Sequence, residues 1–151
     1  MQFLLSEFTK IVTAFEDNGL EYAVCGGLAM AIQGFPRATM DIDLMIRDQS
    51  LERAFEIASE NGFDIRGLDI SFKEPAVEIR RVSKIIGDAI LCLDLLLVIE
   101  EVEDVWETRE RINYEGRSMS VVSREGLIKL KRRAARPQDM ADIYRIENEE
   151  D

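Results

Sequence analysis

Residues 26–44 read GGLAMAIQGFPRATMDIDL, and this stretch carries the strongest fold signal in the 151-residue chain. The run Tyr22 to Cys25, just before it, is apolar and typical of a short strand. Residues 28–33 are typical of a short helix that the two glycines begin. Met40 to Ile46 alternates apolar and acidic side chains, which predicts a second strand. The stretch therefore predicts a strand, a glycine-led helix and a strand that carries carboxylates.

Asp41 and Asp43 are the two carboxylates of that second strand. Alternate residues of a strand project from one face, so both should point the same way, with Ile42 and Leu44 in the core on the other. Two unpaired, partly buried carboxylates repel each other, and a divalent cation would relieve the repulsion. The alternative is a solvated edge strand with alternating polarity.

Asp94 interrupts the apolar run from Ala89 to Ile99. A charge in the middle of a central strand is costly unless it is paired or bound to a metal. If this strand lies beside the strand of Asp41, three carboxylates meet on one face, a ligand set suited to one or two Mg²⁺ ions. The alternative is a buried acid paired with Arg80 or Arg81.

The chain contains no histidine. This excludes a histidine-based catalytic triad, a histidine general base and the common zinc sites. A metal would be held by oxygen ligands, which favours Mg²⁺ or Mn²⁺. We interpret Cys25 and Cys92 as reduced core residues. With no apolar segment long enough for a membrane helix and no signal-peptide pattern at the start, we expect a cytoplasmic protein with no membrane partner.

These motifs together resemble the signature of the DNA polymerase beta-like nucleotidyltransferase superfamily. That signature is Gly-Gly or Gly-Ser, a short helix, Asp-x-Asp on the next strand, and a third acid on a later strand. Gly34 to Thr39 is similar to the minimal prokaryotic branch, which includes AbiEii-like toxins and small aminoglycoside nucleotidyltransferases. Leu127 to Ile143 is similar to the C-terminal Arg-x-x-Asp-x-x-Asp-Ile segment of that branch. The resemblance spans about residues 20–145.

The resemblance implies an α+β (α/β) nucleotidyltransferase fold, a small mixed β-sheet flanked by α-helices. It also implies that Asp41, Asp43 and Asp94 are the catalytic and metal-binding residues, with Asp94 as general base on the acceptor. Gly26 and Gly27 would bind the triphosphate. Gly27 stands where many transferases of the superfamily have serine, so one hydroxyl contact to phosphate is missing.

The remainder of the chain completes a single domain over residues 1–151. Besides the helix at 28–33, we expect a helix at 3–18, a helix that Asp48 or Ser50 caps and that ends near Glu60, and paired strands at 77–86 and 89–99. A short helix at 101–110, a hairpin at 112–122, a basic helix capped by Ser123 and a last helix starting at Pro137 follow. The acidic end, residues 147–151, is expected to fray.

The net charge of −11 makes the whole chain a poor stand-alone binder of nucleic acid. Residues 123–136 differ, because they hold six basic residues and one acid. We single out Lys129 and Arg136 of this segment as nucleotide phosphate contacts; the alternative is a solvated basic face. Arg37 would either clamp a phosphate or cap its own loop.

The predicted function is transfer of a nucleoside monophosphate from an NTP to a hydroxyl, with Mg²⁺ or Mn²⁺ as cofactor. An RNA or tRNA end and a small molecule such as an antibiotic both stay open as the acceptor, as does a toxin–antitoxin or defence role. The alternative is a non-catalytic module of the same fold that binds nucleotide or an antitoxin partner. A homodimer could supply the acceptor-binding region that such a short chain does not reveal.

Overall fold

The structure, a computed structural model, describes residues 3–149. The helices are α1 Leu4–Asp17, α2 Gly26–Ile32, α3 Leu51–Glu60, α4 Glu103–Glu107, α5 Arg124–Ala134 and α6 Pro137–Asn148. The strands are β1 Ala23–Cys25, β2 Ile42–Ile46, β3 Ile65–Arg66, β4 Ile70–Lys73, β5 Ala76–Ile86, β6 Ala89–Leu97, β7 Glu110–Tyr114 and β8 Arg117–Val121. The last two residues of the acidic end, where we expected fraying, lie outside the described part.

The strands form one mixed sheet in the order β3-β5-β6-β2-β1-β8-β7, with β4 also paired to β5. The β2–β6 and β1–β8 pairs are parallel, and the other pairs are antiparallel. The predicted fold class, a mixed sheet flanked by helices, is therefore confirmed. The parallel β2–β6 pair joins two strands that are far apart in the chain, and it carries the acidic residues of interest.

The apolar stripe of α1 anchors the core. Phe8, Ile11, Val12 and Phe15 recur at helical spacing, and each is at most 1% exposed. Burial of one such side chain stabilises the fold by about 1.5–3 kcal/mol. On the sheet, Ile42 and Leu44 are fully buried. Their burial fixes the orientation of β2, so that the intervening Asp43 projects from the opposite face.

Two outer strands, β3 and β4, were not predicted. They pair with β5, but most of their residues are exposed, so the apolar alternation that marks a strand is weak. The strand that we expected at Met40 to Ile46 begins only at Ile42. Asp41 therefore lies one residue outside the ladder, and the expectation that it shares a strand with Asp43 is corrected.

The predicted start of the basic helix is confirmed. The Ser123 hydroxyl accepts a hydrogen bond of 3.0 Å from the backbone N–H of Gly126, and Pro137 is the first residue of α6. Cys25 and Cys92 are both free thiols, but only Cys25 is buried; Cys92 is half-buried. Among residues 3–149, no helix has the length and apolar character that crossing a membrane requires.

Candidate functional site

A row of four residues crosses the middle of the sheet. Cys25 on β1 is the register partner of Asp43 on β2, Asp43 of Asp94 on β6, and Asp94 of Arg81 on β5. Register partners on neighbouring strands project from the same face of a sheet. The carboxylates of Asp43 and Asp94 therefore lie side by side, with a guanidinium at one end of the row and a thiol at the other.

The acids of this site already repel one another. Burial, with the added charges of Asp94 and Asp41, raises the pKa of Asp43 to about 7. Burial and the charge of Asp94 also raise the pKa of Asp41, although Arg81 opposes this rise. Both shifts mean that the protein alone does not balance the negative charge of these two carboxylates well. A bound cation would provide the missing compensation.

Arg81 holds Asp94 through two hydrogen bonds. Its Nε donates to Oδ1 at 2.7 Å and its Nη2 donates to Oδ2 at 2.9 Å. This hydrogen bonding raises the pKa of the guanidinium. The alternative interpretation of Asp94, a buried acid paired with a nearby arginine, thus describes one real contact of the residue. Arg80 instead pairs with Glu78 and Asp69.

The carboxylate oxygens of the site are donors of the kind that a hard cation prefers, but their present geometry does not form a cation site. As they stand, no three acidic or cysteine side chains of residues 3–149 form a group that could hold a metal ion. Asp41 and Asp43 offer the oxygen donors that Mg²⁺ prefers. Their raised pKa values show that a nearby positive charge would stabilise the ionised carboxylates. The Asp94 oxygens are both engaged by Arg81. The donor chemistry thus fits for Asp41 and Asp43, whereas the Asp94 oxygens become available only if Arg81 moves.

The two glycines are required by close approach to the site. Gly26 has a φ of +66°, and a Cβ at this position would collide with the Asp43 carboxylate. A Cβ at Gly27 would lie 2.7 Å from the Cβ of Thr39. A larger residue at either position would therefore push on a side chain of the loop or strand that carries the acids. Thr39 was not singled out from the sequence.

A cavity of about 120 Å³ lies beside this row. Its sheet-side wall is formed by Asp43, Asp94 and Gly26, and the facing wall by α5 and the start of α6. The residues of these helices that line it are Leu127, Leu130, Lys131, Ala134, Arg136 and Asp139. The acids therefore open into a space that basic and apolar side chains share.

Lys131, rather than Lys129, faces the cavity from α5. Lys131 is 4% exposed, and its Nζ donates to Asp142 at 2.9 Å. Lys129 instead pairs with Asp104 of α4 at 2.8 Å and does not line the cavity. The structure therefore does not bring Lys129 to the carboxylates. The helical spacing of Leu127, Lys131 and Ala134 was the sequence signal for this face.

The other two predicted phosphate contacts, Arg136 and Arg37, each pair with an acid of α6. Arg136 lines the cavity, and its guanidinium donates to Asp139 at 2.7 Å while most of its side chain stays exposed. Arg37 pairs with the buried Asp142 at 3.0 Å and also donates to the carbonyl of Ala38. The loop-capping interpretation of Arg37 therefore describes its observed contacts.

Asp142 links these basic residues. Burial raises the pKa of this carboxyl, but hydrogen bonds from Lys131 and Gln138 and the charges of Lys131 and Arg37 outweigh burial, so its pKa is lowered. Asp139 is buried as well and accepts a hydrogen bond from the backbone N–H of Arg136. The C-terminal Arg-x-x-Asp-x-x-Asp segment thus builds the wall of the cavity.

Comparison with known families identifies the chain. The sequence profile of the aminoglycoside-2″-adenylyltransferase family matches residues 7–143. The chain belongs to this family. The resemblance to a small nucleotidyltransferase is thereby confirmed. A comparison with curated protein sequences finds no significant match.

Several solved structures have the same fold as this chain. A protein of Thermotoga maritima assigned as a nucleotidyltransferase has 18% identity and a TM-score of 0.68, over 97% of this chain and 93% of the other. ANT(2″)-Ia in complex with adenylyl-2″-tobramycin has 18% identity and a TM-score of 0.60, over 93% and 87%. JHP933 of Helicobacter pylori has 17% identity and a TM-score of 0.57, over 92% and 62%. At these identities the likeness establishes the fold alone.

Proposed function

We propose that the protein is a magnesium-dependent nucleotidyltransferase that moves an adenylyl group from ATP to a hydroxyl of a small molecule. The observation that carries the proposal is the side-by-side position of Asp43 and Asp94, next to Gly26 and open to a cavity. Membership of the aminoglycoside-2″-adenylyltransferase family supports the transferred group. The complex of ANT(2″)-Ia with adenylyl-2″-tobramycin supports a small acceptor. The toxin–antitoxin role and the RNA acceptor are not part of this proposal.

Each residue of the site has a distinct role in the proposal. Asp41 and Asp43 hold the divalent cation, and Asp94 adds oxygens once Arg81 releases it. When bound, the cation would neutralise phosphate charge and orient the reacting groups. Gly26 and Gly27 allow the triphosphate to approach the backbone closely. Arg136, which lines the cavity with a mostly exposed side chain, contacts the phosphates with its guanidinium, which pairs with Asp139 in this structure.

The transfer step uses Asp94 as the base. The hydroxyl oxygen of the acceptor attacks the α-phosphorus of ATP, and the bond from that phosphorus to the bridging oxygen breaks. Pyrophosphate leaves with the electrons of that bond. The proton of the hydroxyl passes to the Asp94 carboxylate, which lies at the cavity wall. The ordered cavity supplies positioning, the main contribution that a protein makes to such a transfer.

One observation favours the second candidate, a nucleotide-binding module without catalysis. Both oxygens of Asp94 are held by Arg81, so the base of the proposed reaction is engaged elsewhere in this structure. A protein in which Arg81 never released Asp94 would bind nucleotide at Asp41 and Asp43 without transferring it. The two candidates therefore differ in transfer, not in binding.

Calorimetry with ATP and Mg²⁺ tests the binding that both candidates require. We expect wild-type protein to bind and Asp43→Ala to lose most of the signal. Asp88→Ala is the matched control, because Asp88 is an exposed acid in the turn between β5 and β6. Equal loss in both variants would contradict a site at Asp43.

Incubation with α-labelled ATP tests transfer. We expect label on small polyhydroxylated compounds, aminoglycosides first, and none on total tRNA. Label on tRNA alone would overturn the proposed acceptor. Binding without label on either acceptor would support the non-catalytic module.

A further inference from the structure

The contact between Arg81 and Asp94 joins a solvent-accessible cation to a covered acid. The Arg81 side chain is 38% exposed, whereas that of Asp94 is 12% exposed. The two hydrogen bonds are nearly equal in length, 2.7 and 2.9 Å, and use both carboxylate oxygens. This is the bidentate geometry in which a guanidinium binds a carboxylate most strongly. A ligand in solution can reach Arg81 more easily than it can reach Asp94.

The segment just after β3, a strand that the sequence did not reveal, holds the backbone of Arg81 in place. The backbone N–H of Gly67, just after β3, donates to the carbonyl of Arg81 at 2.9 Å. A Cβ at Gly67 would lie 3.3 Å from the Cβ of Arg81, so the chain packs closely against the start of this side chain. The neighbouring Arg80 pairs with Glu78 and Asp69 instead. The arginine at position 81 is thus the one that the sheet directs at the acids.

The pairing changes the charge that a cation would meet. Without Arg81, the site would present three carboxylates, Asp41, Asp43 and Asp94. With Arg81 in place, a fixed positive charge lies against the third carboxylate and also acts on Asp41. A free divalent cation is then repelled by the guanidinium and lacks the oxygens of Asp94. Nucleotide-free protein should therefore bind the cation weakly.

A nucleotide triphosphate offers Arg81 a better partner. A guanidinium binds the oxygens of a phosphate in the same bidentate geometry as those of a carboxylate. A triphosphate also carries more negative charge than one carboxylate. The phosphates also bring oxygens for the cation. We propose that Arg81 is a positioning residue that holds Asp94 until a nucleotide arrives, and so makes cation binding depend on nucleotide. This inference rests on the proposed cation site at Asp41, Asp43 and Asp94.

Binding of Mn²⁺ followed by electron paramagnetic resonance tests this directly, because free and bound Mn²⁺ differ in signal. The proteins are wild type, Arg81→Gln and Arg80→Gln, each with and without a non-hydrolysable ATP analogue. Arg80→Gln is the matched control, since it removes the adjacent arginine of the same strand. Without nucleotide, we expect Arg81→Gln to bind Mn²⁺ at least tenfold tighter than wild type and Arg80→Gln to match wild type. With the analogue, the gap between wild type and Arg81→Gln should shrink to less than threefold.

Two further variants separate the failure of this inference from that of the proposed function. Asp43→Asn should lose Mn²⁺ binding with or without the analogue. If it does, and Arg81→Gln binds no tighter than wild type without nucleotide, the role of Arg81 is overturned and the cation site stands. If no variant binds Mn²⁺ even with the analogue, both are overturned. Arg81→Lys keeps a charge but cannot form both hydrogen bonds; an affinity between wild type and Arg81→Gln is expected, and it replaces Arg81→Gln if that variant does not fold.

Discussion

Asp43 and Asp94 occupy the same register position on the parallel strands β2 and β6, so two carboxylates stand side by side in the middle of the sheet. An apolar pair at these positions would extend the core. The acids instead repel each other, and the pKa of Asp43 rises to about 7. Such a cost at the centre of a sheet is typical of a functional site, where stability is sacrificed for chemistry.

Replacement of Asp43 by asparagine should stabilise the metal-free protein at pH 8. The pKa of Asp43 is about 7 in the folded protein, against an ordinary value of 3.8. The folded state therefore holds the proton more tightly, and wild-type stability should fall as the pH rises from about 4 to about 7. Asp43→Asn removes this loss. We expect a gain of about 2 kcal/mol at pH 8, less than the full shift because Asp43 is only half-buried. Urea unfolding at pH 4.5 and pH 8 measures it.

The control for this prediction is Asp88→Asn, which removes an exposed acid from the turn between β5 and β6. It should change the free energy of unfolding by less than about 0.5 kcal/mol at either pH. A gain for Asp43→Asn that is equally large at pH 4.5 would contradict the ionisation argument. The gain would then come from packing rather than from charge.

The buried ion pair between Lys131 and Asp142 should stabilise the contact between α5 and α6. Both side chains are at most 5% exposed. Loss of one partner of a buried pair costs about 3–5 kcal/mol, because the other charge stays buried. Lys131→Met should lie near 3 kcal/mol, since Arg37 and Gln138 still contact Asp142. Chemical denaturation at pH 7 measures the difference.

Lys129→Met is the matched variant for Lys131→Met, as the two lysines lie two residues apart on the same helix. Lys129 pairs with Asp104 in an exposed position. Exposed pairs contribute about 0.2–1 kcal/mol. Similar losses for both variants would show that the burial of Lys131 does not determine its contribution.

Arg136 should contribute to nucleotide affinity more than the other exposed arginines of the basic segment. It lines the cavity, and its positive charge acts on Asp43. A charge-assisted hydrogen bond contributes about 1.5–3 kcal/mol, so Arg136→Ala should weaken ATP binding about tenfold or more. Arg132→Ala is the control, because Arg132 pairs with Glu147 away from the cavity. Calorimetry that gave equal affinities for the two variants would remove Arg136 from the site.

Much of this fold could be predicted because its central elements are strongly patterned. The apolar stripe of α1 and the alternation in β2 identify their buried faces. The edge strands β3 and β4 could not be predicted, since their residues are mostly exposed and pair only with β5. Edge strands form mainly by pairing with the backbone of the neighbouring strand, so their own side chains show only a weak strand pattern.

The candidate site also has a part that the sequence predicts and a part that it does not. Gly26, Gly27, Asp41 and Asp43 are closely spaced and Asp94 interrupts an apolar run, so these candidates could be found from the sequence. The sequence offered both Arg80 and Arg81 as partners of Asp94, and the choice of Arg81 depends on the register of β5 against β6, which only the structure provides. The inward direction of Lys131 depends on the rotation of α5 about its axis. A run of basic residues identifies the helix but not the member that faces the cavity.

Gly26→Ala should abolish nucleotide binding, and Gly19→Ala should not. Both glycines have a φ of +66°, so alanine carries a similar backbone cost of about 1–2 kcal/mol at each position. At Gly19 an added Cβ meets nothing within 4 Å, whereas at Gly26 it collides with the Asp43 carboxylate. The difference between the two variants therefore isolates the collision from the strain. We expect Gly26→Ala to lose about 1–3 kcal/mol more stability than Gly19→Ala, because the collision adds an overpacking cost, with ATP and Mg²⁺ binding by calorimetry lost in Gly26→Ala alone. Retained binding in Gly26→Ala would mean that the position of Asp43 is not critical for the nucleotide.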